Sequence, residues 1–224
     1  MKILAVDTAL GACSAAVLDG NAVLAHRLEV MDRGHAEALA PMVQALMQDA
    51  ATSFADLQRL AVTTGPGTFT GQRVGIAFMR GLRLALKIPL VGITTLEAMA
   101  APALHDTGAD IAAVLHDAKR NEVYGGIYAD DRTLLAPALL RLEEALGQIR
   151  RHARGKRVSL AGTAAAMANE RLRADEVSIS LTGIVYPDAI WVARLARQAP
   201  EPSVAPHPLY LRAPDARLPG SPPR

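Results

Sequence analysis

"ILAVDTALGACSAAV" (residues 3–17) opens the chain with a strand that ends in Asp7, a turn containing Gly11, and a returning strand. The arrangement recurs a hundred residues on: "IAAVLHDAKR" ends in Asp117 and "EVYGGIYAD" pairs back on it. Outward from the first turn, "KILAVDT" and "CSAAVLDG" read as neighbouring strands, and "AVLAHRLEV" continues past Asp19-Gly20-Asn21. Leu39, Met42, Val43, Leu46, Met47 and Ala50 recur at helical spacing between Gly34 and Ala50. Pro41 interrupts that pattern and removes a hydrogen bond to the Glu37 carbonyl, which predicts a kink or a late start. "LQRLAVTT" is a buried strand, 71–87 a helix and "PLVGI" another strand, so the first hundred residues read β-β-β-α-β-α-β.

The second half predicts a third strand near Leu134, helices over 142–153, 163–173 and 187–198, and strands at "RVSLAG" and "VSIS". No repeat of sequence is visible; the repetition is architectural. Two β-β-β-α-β-α lobes with mixed sheets, residues 1–100 and 101–200, imply a duplicated α/β fold with a cleft between its halves. The last helix, 187–198, has the option of packing back on the N-terminal lobe. Residues 201–224 form an extended Pro-rich tail, with "SPPR" expected to be disordered.

Composition removes several function classes. A chain of 224 residues buries about 70% of its unfolded surface, so it needs no disulfide or metal staple. A net charge of +2 writes no strong pull toward nucleic acid into the total, and 4% aromatics weigh against a base-stacking platform. The lone Cys13 has no partner for an internal disulfide and reads as a small buried hydrophobe in a reducing cytoplasm. The start is too short in apolar residues for a signal peptide, and no stretch approaches a membrane span. A cytoplasmic protein is expected.

"GPGTFTGQRVG" (65–75) follows a strand and opens a helix. Unsatisfied N–H groups at a helix start attract anions, so Thr8, Gly65, Gly67 and Thr68 are weak candidates for an anion or nucleotide contact. Thr68 or Thr70 capping the helix is the simpler reading, and the favoured one. No Lys-Ser/Thr follows the last glycine, so this is not a Walker loop, and the glycine spacing is wrong for a dinucleotide fingerprint. In the helix it opens, Val74, Ala77, Phe78, Gly81 and Ala85 make one apolar stripe, and Gly75, Met79, Leu82 and Leu86 a second. A helix this widely apolar is expected to be covered on two sides, with Arg73, Arg80, Arg83 and Lys87 on the remaining edge.

These blocks, with "GHAEALAPMV", "GITTLEAMA", "DAKRNEVYGGIY" and "PLYLRAPDA", occur in the order found in the TsaB (YeaZ) family, which the chain resembles over nearly its whole length. That family is needed to make threonylcarbamoyladenosine beside the tRNA anticodon. The resemblance implies an actin-like, ribonuclease H-like fold and a non-catalytic role. It also implies pairing with the transferase paralogue TsaD, entry of the ATPase TsaE, and tRNA reached through the complex. The helices over 34–50 and 71–87 would meet their counterparts on TsaD in a four-helix bundle. Leu39, Met42, Val43, Leu46, Val74, Ala77, Phe78 and Gly81 are the candidate interface, and a homodimer through the same patch is expected when TsaD is absent.

The rival reading is a stand-alone actin-like ATP-dependent enzyme or a glycoprotease-like metallopeptidase. Where the resemblance places TsaD's His-x-x-x-His metal pair, this chain has Thr95 and Met99, leaving Glu97 alone. The six histidines show no ligand pair and no His-Glu-x-x-His, so no metal is expected. In Asp7-Thr8-Ala9-Leu10-Gly11, Ala9 stands where a phosphate hairpin needs a close-approach glycine. "HDAKRN" has no glycine, "AGTAAA" (161–166) has one, and no Gly-x-Ser-x-Gly elbow exists. The expectation is no catalytic residue and no cofactor of its own, with ATP or ADP admissible only where it is shared at the partner joint.

Overall fold

The first strand, β1 (Lys2–Asp7), is apolar at every position from Ile3 to Val6 because both its faces are covered. Leu4 and Val6 point into one core, Ile3 and Ala5 into another. The structure, a computed structural model, describes residues 1–130, 132–173 and 177–212; the "SPPR" end lies outside the described residues. β2 (Ala12–Asp19) pairs antiparallel with β1, Asp7 opposite Ser14, and β3 (Ala22–Val30) forms the edge. Helix α1 (His35–Asp49), β4 (Arg59–Thr63), α2 (Phe69–Leu86), β5 (Leu90–Ile93) and α3 (Thr95–Thr107) follow. The sheet runs β3-β2-β1-β4-β5, with β4 and β5 parallel to β1.

The second half repeats this: β6 (Ile111–Asp117), β7 (Glu122–Ala129), β8 (Arg132–Arg141), α4 (Leu142–His152), β9 (Arg157–Ala161), α5 (Ala165–Leu172), β10 (Ser178–Leu181) and α6 (Ala189–Gln198). Its sheet runs β8-β7-β6-β9-β10, the same order element for element. Helices α1 and α2 cover one face of the first sheet, and α4 and α5 one face of the second. On the remaining faces α6 lies against the first sheet through Ala189, Val192, Ala193 and Ala196. Helix α3 lies against the second sheet through Leu96, Met99, Ala100 and Ala103.

Two local expectations are corrected. α1 runs unbroken from His35 through Pro41, so the helix does not start late. The stretch after "PLVGI" is a full helix, α3, which the alternating order of the first hundred residues omitted. Seven of its residues are buried, so it shows no clear apolar stripe to read. Among the described residues no helix is long and apolar enough to cross a membrane.

Candidate functional site

The glycine loop is a closed joint. Thr68 caps α2, its Oγ1 accepting the Gly71 N–H at 3.0 Å, and its own N–H donates to the Ala9 carbonyl at 2.8 Å. Thr8 reaches in from the end of β1: its hydroxyl donates to the Gly71 carbonyl (2.7 Å) and accepts from the Gly75 N–H (3.0 Å). The Gln72 amide folds back over Gly65 and donates to the Gly67 carbonyl at 2.9 Å. A Cβ on Gly67 would overlap the Ala9 carbonyl, so backbone presses directly on backbone there. Thr8, Gly65, Gly67 and Thr68 are therefore brought together, and the Thr8 and Thr68 hydroxyls and the Thr68 N–H serve the protein itself. With the Thr68, Gly71 and Gly75 N–H groups taken, these three are not free to hold an anion.

The two strand-end aspartates sit in unlike surroundings. Asp7 is fully buried, accepts from the Thr63 hydroxyl at 2.5 Å and the Ala9 N–H at 3.2 Å, and leaves Oδ2 without a partner. Burial, only partly offset by those hydrogen bonds, pushes its carboxyl up to about 7. Asp117 accepts from the Lys119 N–H (2.8 Å) and Nζ (3.0 Å), which hold it below the usual carboxylate range. Its turn passes through Lys119, Arg120 and Asn121, all in the left-handed region.

Thr95 and Met99 are fully buried in the packing around α3. Burial raises the Glu97 carboxyl, against hydrogen bonds from the Thr94 backbone and from its hydroxyl at 3.5 Å. Glu97 lines a groove of about 910 Å³ with Tyr128, Trp191 and Arg194, at the meeting of α3, α6 and the β7–β8 hairpin. Among the described residues no three His, Cys, Asp or Glu side chains converge to hold a metal ion. Cys13 is buried, and burial pushes its thiol up to about 12, so it stays protonated and inert.

The structure corrects half of the candidate interface. Leu39, Met42, Val43 and Leu46 are at most 5% exposed and belong to the core under the first sheet. Their stripe marks the face turned to the nearest sheet, where each side chain gains about 1.5–3 kcal/mol from burial. On α2, Val74 and Phe78 are half-buried against the same core, while Ala77 and Gly81 face outward. The small-residue ridge of α2 is thus the exposed part of this candidate set. Sequence reasoning also missed the contacts of the tail with this helix. Arg73 donates to the Tyr210 hydroxyl and Arg80 to the Pro206 carbonyl, pairs more than 120 positions apart with no local signal.

Duplicated β-β-β-α-β-α lobes with matching strand orders define an actin-like α/β protein, and a hexokinase of the ROK class from Thermus thermophilus shares this fold (TM-score 0.56, 16% identity, 88% of this chain and 98% of that one). The model of the family "TsaD: tRNA N6-adenosine threonylcarbamoyltransferase" matches residues 25–211. YeaZ from Pseudomonas aeruginosa is 30% identical with a TM-score of 0.71, over 88% of this chain and 90% of that one. The tRNA threonylcarbamoyladenosine biosynthesis protein TsaB of Escherichia coli is 41% identical over 131 residues, 58% of this chain and 56% of that protein. The chain belongs to the TsaD family, in its TsaB (YeaZ) branch.

Proposed function

We propose that this chain takes part in the biosynthesis of threonylcarbamoyladenosine in tRNA as a non-catalytic subunit, docking on the transferase TsaD. The observation that carries this reading is the pairing of a closed catalytic joint with an open helix face. The loop that would cradle phosphate is filled by Gln72 and capped by Thr68, while Ala77 and Gly81 on α2 lie exposed among the described residues. Family membership supplies the pathway and the partner. Docking through α1 and α2 stabilises the active arrangement of the transferase, a population shift supplied by contact energy. TsaE joins the assembled pair, and tRNA is met through the complex. With TsaD absent, the same face is open to a second copy.

The test is pairing and rescue together. The purified chain should co-elute with TsaD, and a TsaD preparation should form threonylcarbamoyladenosine faster when it is added. Ala77→Asp places a charge on the exposed ridge without touching the core, and should abolish co-elution and stimulation alike. Turnover of ATP, or modification of tRNA, by the isolated chain would defeat the reading.

A further inference from the structure

Beyond α6, residues 200–212 do not leave the molecule. Arg59 donates to the carbonyls of Ala196 and Ala199 at 2.6 and 2.8 Å, fixing the end of that helix. Residues 200–212 then run along the outer edge of α2 as a strap. The Arg80 guanidinium donates twice to the Pro206 carbonyl (3.0 and 2.6 Å), and the Leu209 N–H donates to the Thr64 carbonyl at 2.7 Å. Tyr210 stacks on Phe69 with ring centroids 5.4 Å apart and accepts from Arg73 at 2.6 Å.

Between this strap and the last turns of α2 lies a notch of about 470 Å³. Leu84 and Val204 stand on its walls, 76% and 71% exposed, and Arg83, Lys87 and Glu201 edge it. Two large aliphatic side chains held open around one concavity, rimmed by charge, have the form of a docking pocket. The exposed ridge of α2 continues into it.

Charge decides the occupant. Residues 69–87 carry four cations, Arg73, Arg80, Arg83 and Lys87, and no carboxylate. Arg73 and Arg80 are bonded to neutral oxygens, so their charge is not cancelled. A second copy would bring the same four cations. Against them α1 supplies Glu37 and the strap Glu201, since the other carboxylate of α1, Asp49, is held by Arg27 at 2.6 Å, so cations outnumber free carboxylates on this face. A symmetric pair therefore sets cation against cation, which costs affinity where a different protein with acidic side chains would gain it.

We infer that the strap is half of the docking face, and that the notch takes an apolar side chain flanked by carboxylates on a protein other than this one. This rests on the docking role proposed above. Salt separates the two kinds of pairing. Screening weakens an attraction between unlike charges and relieves a repulsion between like ones, so raising salt should weaken binding to TsaD while self-association of the chain strengthens.

The experiment measures the Kd for TsaD and the self-association of the full chain by sedimentation, each at low and high salt. Leu84→Asp and Val204→Asp, both on exposed positions, should each weaken TsaD binding roughly tenfold or more. Arg83→Glu combined with Lys87→Glu should weaken it similarly and flatten its salt dependence, and should strengthen self-association at low salt. TsaD binding left within about twofold of wild type by all of these variants, while Ala77→Asp still abolishes it, would overturn the strap's role and leave the docking function standing. A wild-type chain that never binds TsaD would overturn both.

Discussion

Asp7 and Asp117 end the first strands of two sheets with the same strand order, and each is followed by a turn and a returning strand. In the first sheet the turn is pressed under the start of α2. Thr68 and Gln72 close over it, and the aspartate is cut off from water. In the second sheet the turn stays open, and its aspartate is served by Lys119, the Asp117 N–H being taken by the Thr163 hydroxyl at 2.9 Å. The glycine loop makes the difference. Three glycines at 65, 67 and 71 let α2 approach the first turn until backbone meets backbone, whereas β9 leads into α5 with Gly162 alone. A duplicated fold thus keeps its topology while one copy of the site is closed by packing.

The pH dependence of stability is the strongest test of that contrast. Asp7 ionises near pH 4 when unfolded and near 7 when folded, so between those values the folded chain holds a proton that the unfolded chain has lost. Its contribution is fully present below about pH 4 and lost as pH rises through 7. Asp7→Asn should remove this slope, gaining roughly 4 kcal/mol on wild type between about pH 4 and pH 8 in urea unfolding. Parallel curves for the two proteins would mean that Asp7 is not sealed.

Backbone contact comes next. Gly67 presses on the Ala9 carbonyl and Gly162 on the Leu115 carbonyl, the latter with φ of 98°. Either Gly→Ala change should cost about 3 kcal/mol by overpacking, with Gly162→Ala the worse of the pair because its backbone is strained as well. A neutral Gly67→Ala in chemical denaturation would show that the first turn has room after all.

Thr8→Val removes the hydroxyl that bridges the Gly71 carbonyl and the Gly75 N–H. Its expected cost is about 1 kcal/mol. Hydrogen exchange at Gly75 should quicken with it; unchanged protection would show that the helix does not depend on the bridge. The smallest effect is Asp117→Asn, a few tenths of a kcal/mol at neutral pH, because its ion pair with Lys119 lies in water. Its sign is opposite to that of Asp7. With the carboxyl held low, the contribution is present above the unfolded pKa and fades as pH falls, so the variant should narrow toward wild type in acid. A gap that widened there would reverse the assignment.

Much of this contrast was legible in the chain. Continuous apolar runs ending in aspartate marked both first strands, and Ala9 in the glycine position already argued against a phosphate hairpin. The fate of the apolar stripes was not. Leu39, Met42, Val43 and Leu46 satisfy a docking face and a core face equally by spacing, and only the position of the sheet decides between them. Gln72 reads as one polar residue in a polar loop, and its burial follows from the closeness of the turn beneath it. The strap rests on arginines whose partners lie at the far end of the chain, where spacing carries no message.

The placement of α6 has a consequence for how the molecule is made. A ribosome delivers β1 well before Ala189–Gln198, yet Ile3, Ala5, Ala16 and Leu18 are covered by that later helix. Until α6 emerges, one side of the nascent first sheet stays greasy and bare, a target for chaperones, and the first lobe is completed only after the second has been translated.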